Sequence, residues 1–203
     1  VDLREVLLPK LTEIDLARAL PFEARKHLNL DEMTNPILHF QILGPANPGE
    51  EPVEERIRVL FAAAPSSLRD FPLRVLTRAG IEPEVVDAEP LASLNALFAK
   101  LGSATNGERT VALLDLGARR TTLQISGVSG GLFYRSVGPG APGIDASAAL
   151  APYARELAER IRETLTFYRG KHRREVDTLY AAGGGALLRL QRHPVCRRVF
   201  HRP

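Results

Sequence analysis

Residues 110–116, 121–126 and 132–137 are three extended runs separated only by Gly117-Ala118-Arg119-Arg120 and by Gly127-Val128-Ser129-Gly130-Gly131. Connections this short cannot return a chain to the starting end of a strand, so successive runs must pair antiparallel. Glycine suits both turns. An antiparallel meander is thus the point from which the rest of the chain is read. Gly138 to Gly143 (GPGAPG) ends it. A long helix is predicted over 152–168, because Ala154, Leu157, Ala158, Ile161, Leu165 and Tyr168 recur at helical spacing on one face. Residues 177–182 read as a strand that runs directly into Gly183-Gly184-Gly185 and a short helix over 186–191.

The earlier half alternates strands and helices. Residues 1–8 form a strand ending at Pro9, and Thr12 opens a helical stretch with Asp15 three residues on, in the manner of a capping box. Pro21 interrupts that stretch, which predicts a kink or two short helices over 11–28. Residues 36–43 alternate Ile37, His39 and Gln41 against Leu38, Phe40 and Ile42, the period of a strand with one buried face. Prolines, a glycine and glutamates make 45–55 a solvated turn. A strand over 56–64 then leads through Pro65-Ser66-Ser67, read as capping residues, into a helix over 68–79 that closes at Gly80. A short strand over 84–87 and a helix over 90–101 follow. Strand, helix, strand, helix in this order predicts a parallel α/β layer. The small, polar run 102–108 is the candidate junction between subdomains.

Composition narrows the class. The 203 residues are 44% hydrophobic and 25% charged, enough for a core of ordinary size, and no apolar run approaches the ~18 residues of a spanning helix. Cys196 is the one cysteine, so no intrachain disulfide can form and no cysteine pair offers zinc-type spacing. The chain reads as cytosolic. Its net charge of +3 is a tail property: residues 160–203 hold 11 Lys+Arg against 3 Asp+Glu, whereas 1–159 hold 16 against 21. With no nucleic-acid motif and no interleaved aromatics, those arginines read as a solvated face. His27, His39, His172, His193 and His201 show no spacing that suggests a base or a ligand, and Asp87 and Glu89 read as a solvated strand end.

Two segments could carry chemistry. Asp115-Leu116-Gly117-Ala118-Arg119-Arg120-Thr121-Thr122 sits at a turn between strands, where glycine lets backbone N–H groups approach an anion, hydroxyls can donate to phosphate oxygens, and a carboxylate can hold hydrated Mg²⁺. An ordinary Asp/Gly turn closed by β-forming residues accounts for the same pattern. The second segment is Ala181-Ala182-Gly183-Gly184-Gly185-Ala186, a strand passing through glycines to a helix amino terminus that could meet a ribose or phosphate. It fits neither GxGxxG nor the P-loop pattern, and a glycine-rich connector explains it equally.

Taken with ARALPFEARKHLNLD, HFQILG, RVLFAAAPSSL, GIEPEVVDAEPLASLNAL, VALLDLGARRTTLQI, LFYRSVG, ELAERIRETLTFYR and DTLYAAGGGALL, these segments resemble the PilM family of type IV pilus assembly proteins. That family is related to the cell-division protein FtsA within the actin, sugar kinase and Hsp70 superfamily. The resemblance implies an α/β (α+β), incomplete actin-like, ribonuclease H-like fold with mixed sheets flanked by helices. It implies the remainder of a first lobe over 1–101 with an inserted subdomain at about 12–62, a second lobe over 109–190, and a basic tail over 191–203. Asp115, Gly117, Thr121 and Thr122 would lie in the second phosphate-binding hairpin, Gly183, Gly184 and Gly185 in the adenosine motif, and Asp115 would reach Mg²⁺ through water. ATP with Mg²⁺ is the implied cofactor.

The implied partner is a PilN-like inner-membrane protein, gripped through a short cytoplasmic peptide, alongside other pilus alignment components. The implied location is cytoplasmic, peripheral to the inner membrane through partners only, with no nucleic acid bound. The strand at 37–43 beside the amphipathic segment 11–28 is the expected peptide receptor. The resemblance begins beyond the family's first glycine hairpin, so half of the phosphate site is expected to be missing. Arg119 stands where relatives carry a small or hydroxyl residue, the link over 138–151 is short, and 191–203 replaces the family's closing strand and helix. With one hairpin and no lysine clamp, ATP is expected as a ligand and not as a turned-over substrate. An active ATPase of the same superfamily and a nucleotide-free scaffold are the alternatives.

Overall fold

Val6 and Leu8 flank the exposed Leu7 along one strand, and Val59, Phe61 and Ala63 share one face of another whose opposite face carries Arg58, Leu60 and Ala62. In the computed structural model, which describes residues 1–46, 56–101, 109–127, 132–141 and 147–187, this alternation builds the first of two sheets. Strands β1 (Asp2–Pro9), β2 (Pro36–Pro45) and β3 (Arg56–Pro65) assemble in the order β1-β3-β2, with every pairing antiparallel. Helix α1 (Glu13–His27) covers one face, placing Leu16, Ala24 and the following Leu28 against Val6, Leu8, Val59, Phe61 and Ala63. Those α1 residues recur every four or eight positions, so they form one stripe. Thr12 caps the helix: its hydroxyl accepts from Asp15 N–H at 3.1 Å and donates to Asp15 Oδ2 at 2.7 Å.

Pro21 does not divide α1, which runs unbroken from Glu13 to His27. Core contacts on both sides of the proline hold the helix together, and Pro21 and Ala17 are exposed, so the carbonyl left without its N–H partner faces water. Relief of that defect is measurable. Pro21→Ala is expected to raise the stability of this unit by about 2 kcal/mol, the interior-proline cost less what proline removes from the unfolded chain's entropy. Urea denaturation followed by circular dichroism checks it.

Three further expectations are corrected in this unit. Residues 84–87 are not a strand: β3 is already paired on both edges, and Val85 is 78% exposed. The parallel α/β layer is therefore absent here, and β3 leads into α2 (Ser66–Arg78) from an antiparallel sheet. Ser66 and Ser67 are not the cap of α2, because Pro65 occupies that position without a side-chain bond. The Ser66 amide instead donates to Asn35 O at 3.1 Å, tying the end of β3 to the start of β2.

The second sheet has the order β6-β5-β4-β7, from β4 (Val111–Leu116), β5 (Arg120–Ser126), β6 (Leu132–Pro139) and β7 (Thr178–Ala182). β4, β5 and β6 form the expected antiparallel meander, and β7 adds in parallel to β4. Helix α4 (Ser147–His172) supplies the crossover, beginning before the expected start at 152. Its predicted face is the observed one: Leu157, Ile161 and Tyr168 pack on Ala112, Leu114, Leu116, Leu123, Ile125 and Val137, with Leu165 partly buried against them. Asp177 sets the parallel register by accepting from Thr110 N–H through Oδ2 at 2.7 Å while its own amide donates to Thr110 O at 2.9 Å.

The chain divides into Val1–Leu91 and Ala92–Pro203, with the boundary inside α3 (Glu89–Leu101). The expected junction at 102–108, most of the loop at 45–55 and the tail at 191–203 with Cys196, His193 and His201 lie outside the described residues. Among the described residues no helix is long and apolar enough to cross a membrane.

Candidate functional site

In the second unit the parallel pairing of β4 with β7 sets Asp115 opposite Ala182, so the carboxylate at the end of one strand meets the glycine turn that follows the other. Contact is close. Gly183 has φ +83, and a methyl group on it would overlap Asp115 Oδ1 and the Leu116 carbonyl. A Cβ on Gly185 would come within 2.8 Å of Leu116 Cβ and 2.9 Å of Leu116 O, whereas Gly184 has open space around it. The turn needs glycine at 183 for conformation and at 183 and 185 for room. Two segments some 65 residues apart, Asp115 and Gly183 to Gly185, are thereby brought into one place.

The remaining hairpin residues divide between roles. Gly117 closes the hairpin: its N–H donates to Arg120 O at 3.1 Å and its carbonyl accepts from Ala141 N–H at 3.1 Å. Thr121 pairs with Leu116 on the face that α4 covers, where its buried hydroxyl donates to Pro139 O at 2.9 Å and lies 3.1 Å from the Tyr153 hydroxyl. Thr122 pairs with Asp115 on the opposite face. Ala118 and Arg119 form the exposed tip. Gly140 packs beneath that tip so tightly that a side chain there would overlap the Ala118 carbonyl group. Sequence reasoning missed Gly140 as a buttress of the hairpin; its place in GPGAPG was the available signal.

The first unit carries a separate feature, a groove of about 490 Å³ on the sheet face opposite α1. Register builds its floor: Ile37 lies opposite Ala64, His39 opposite Ala62 and Gln41 opposite Leu60. Ala62 and Ala64 leave room that larger residues would occupy. Leu68 and Arg69 at the start of α2 form one wall, and the approach to α3 from Val86 to Leu91 forms the other. Leu68 and Val86 are 56% and 57% exposed, so the walls offer open apolar surface. β2 stands at the edge of the sheet. The expected receptor paired β2 with the segment 11–28. α1 does pack beside β2, on the sheet face opposite the groove, while α2 and the residues from Val86 to Leu91 border the groove itself. The reason is parity along β3, which gives Phe61 to the core and Ala62 to the groove. The Ala62-Ala63-Ala64 run was the sequence signal for a recess.

Comparison with known proteins follows this geometry. The family model described as "Type IV pilus assembly protein PilM" matches residues 1–145. No curated protein matches. Nineteen chains of solved structures match, among them a chain of the "PilM-PilN type IV pilus biogenesis complex" with a TM-score of 0.68 and 25% identity, covering 96% of this chain and 63% of that one. The present chain thus spans 63% of the length of that neighbour. Its mixed α/β architecture, two sheets flanked by helices, is similar to the actin-like fold of PilM. Since the family match runs over well more than half of its residues, the chain belongs to the PilM family of type IV pilus assembly proteins.

Proposed function

We propose that this chain acts in type IV pilus assembly by gripping an extended cytoplasmic segment of a PilN-like inner-membrane protein in the groove of its first unit. The observation that carries this reading is the groove itself: open apolar walls beside an edge strand, over a floor recessed by the small side chains of Ala62 and Ala64. An extended peptide can lay alternate side chains into such a recess. The likeness to a PilM chain solved with PilN supports the choice of partner. Association with the inner membrane would then come through that partner, as would contact with other alignment components.

Titration of the fluorescently labelled amino-terminal segment of the PilN-like partner tests the grip. Saturable binding is expected, and Ala64→Leu, which fills the floor, is expected to weaken it more than tenfold with an unchanged circular dichroism spectrum, about the effect of losing one well-buried side-chain contact. No saturable binding by the folded chain would contradict the reading.

ATP with Mg²⁺ is proposed as a ligand of the second unit. The Asp115 carboxylate beside a glycine turn that admits no side chain at Gly183 fits a close-lying nucleotide, with Thr122 on the same face as Asp115. Asp115 would hold the hydrated metal, and the bound group would supply a conformational signal. Isothermal titration with MgATP and a phosphate-release assay separate the readings: binding without release supports a ligand, steady release supports an ATPase, and neither supports a nucleotide-free scaffold.

A further inference from the structure

The floor of the groove changes along its length. On β3 the face turned to it carries Ala64, Ala62 and Leu60 in succession, and on β2 Ile37, His39 and Gln41 stand opposite them in the same order. Neighbouring positions on one face are about 6.6 Å apart, two residues of strand rise. Ala64 and Ala62 are half-buried and end at Cβ, so the floor is low at two adjacent positions. At the third it is not: Leu60 is 3% exposed and fills the floor, and the exposed Gln41 beside it offers an amide with both donors and an acceptor. The recess is therefore two positions long. Its border runs from apolar Ile37 at the Ala64 end to polar Gln41 at the other.

We propose that the groove reads a spaced pair of apolar side chains. Two such side chains, two residues apart in an extended segment, seat over Ala64 and Ala62, and the next residue on the same side, over Leu60, is polar and meets Gln41. This rests on the reading of the groove as a peptide site and adds the pattern that selects its ligand. An extended segment laid along β3 repeats its side chains at the spacing of the strand beneath it, so two anchors enter two recesses together. A third apolar side chain would meet Leu60 where no recess exists and would press hydrocarbon on the Gln41 amide. Affinity then comes from two positions and discrimination from the third.

The test uses the full chain and the labelled cytoplasmic segment of the PilN-like partner, with an alanine scan of that segment read by fluorescence anisotropy. Two substitutions, two residues apart, are expected to weaken binding roughly tenfold each, as loss of a well-buried anchor does, and the others about twofold or less. Leucine at the next residue on the same side is expected to weaken binding as well. Exchange of bulk then fixes the seating. Ala64→Leu and Ala62→Leu are each expected to weaken the native segment, and each to be rescued by alanine at one anchor but not at the other. Sensitive positions at any other spacing, a third-position leucine that strengthens binding, or rescue that does not distinguish the anchors would overturn the paired pattern while leaving the groove reading intact. The scan decides on the native chain alone should a leucine variant fail to fold. If no version of the segment binds, or if a folded Ala64→Leu chain binds unchanged, the groove reading fails and the pattern falls with it.

Discussion

Gly183→Ala is expected to destabilise the second unit by about 3 kcal/mol and to abolish binding of MgATP at the concentrations where the native chain responds. Two causes combine. At φ +83 a residue with a Cβ carries a conformational cost of about 1–3 kcal/mol. Its methyl group would also overlap the Asp115 carboxylate and the Leu116 carbonyl; the latter is backbone of β4, so relief requires the Gly183 turn and the end of β7 to move away from β4 as well as a shift of the Asp115 side chain. These movements separate the two segments that the proposed nucleotide site needs together. The chain suits this measurement: it has no tryptophan, and its four tyrosines, Tyr134, Tyr153, Tyr168 and Tyr180, all lie in the second unit. Tyrosine fluorescence in urea therefore reports on that unit. Gly184→Ala is the control, since Gly184 has open space around it. Equal stability of the Gly183→Ala and native chains would show that the turn is not held as described.

Phe61→Ala should produce the largest loss in the first unit, about 3–5 kcal/mol. Phe61 is wholly buried at the centre of β3, where it packs among Val6, Leu16, Ala24 and Val59 and tilts its ring against His27 at a centroid distance of 6.3 Å. A cavity there cannot close by a small shift, because β1 and β2 pin β3 on both sides and α1 lies across it. Peptide binding should disappear with the fold, since Ala62 and Ala64 are its neighbours along the same strand. Circular dichroism should show early loss of the first unit's structure while the tyrosine signal keeps its native midpoint. A matching shift of the tyrosine midpoint would mean that the two units unfold together.

Elements with a long, regular period were legible in the sequence. The α4 face from Ala154 to Tyr168 could be named residue by residue, because six apolar positions at helical spacing admit one helix face. The meander followed from turns too short for any other pairing. Residues 84–87 were misread because a four-residue run has no period, and whether it becomes a strand depends on a free sheet edge elsewhere; the neighbouring strand β3 had none. Pro21 did not split the helix in two for a similar reason, since its local cost is set against packing by Leu16 and Ala24 on either side. In the candidate nucleotide site, Asp115 and the three glycines were visible as types, but their meeting depends on a parallel β4–β7 pairing that no local pattern encodes. The groove was the least legible feature. It arises from the register of two strands and the parity that turns Ala62 away from the core, both properties of the assembled sheet.

Backbone amide chemical shifts in a titration with the PilN-like segment test the central claim most directly, that the first unit holds its partner on the sheet face opposite α1. The account predicts perturbations concentrated at Ile37, His39, Ala62, Ala64, Val86 and Glu89, with little change at the α1 residues Arg18 and Phe22. Perturbations centred on α1 or on the second unit, or none at saturating peptide, would contradict it.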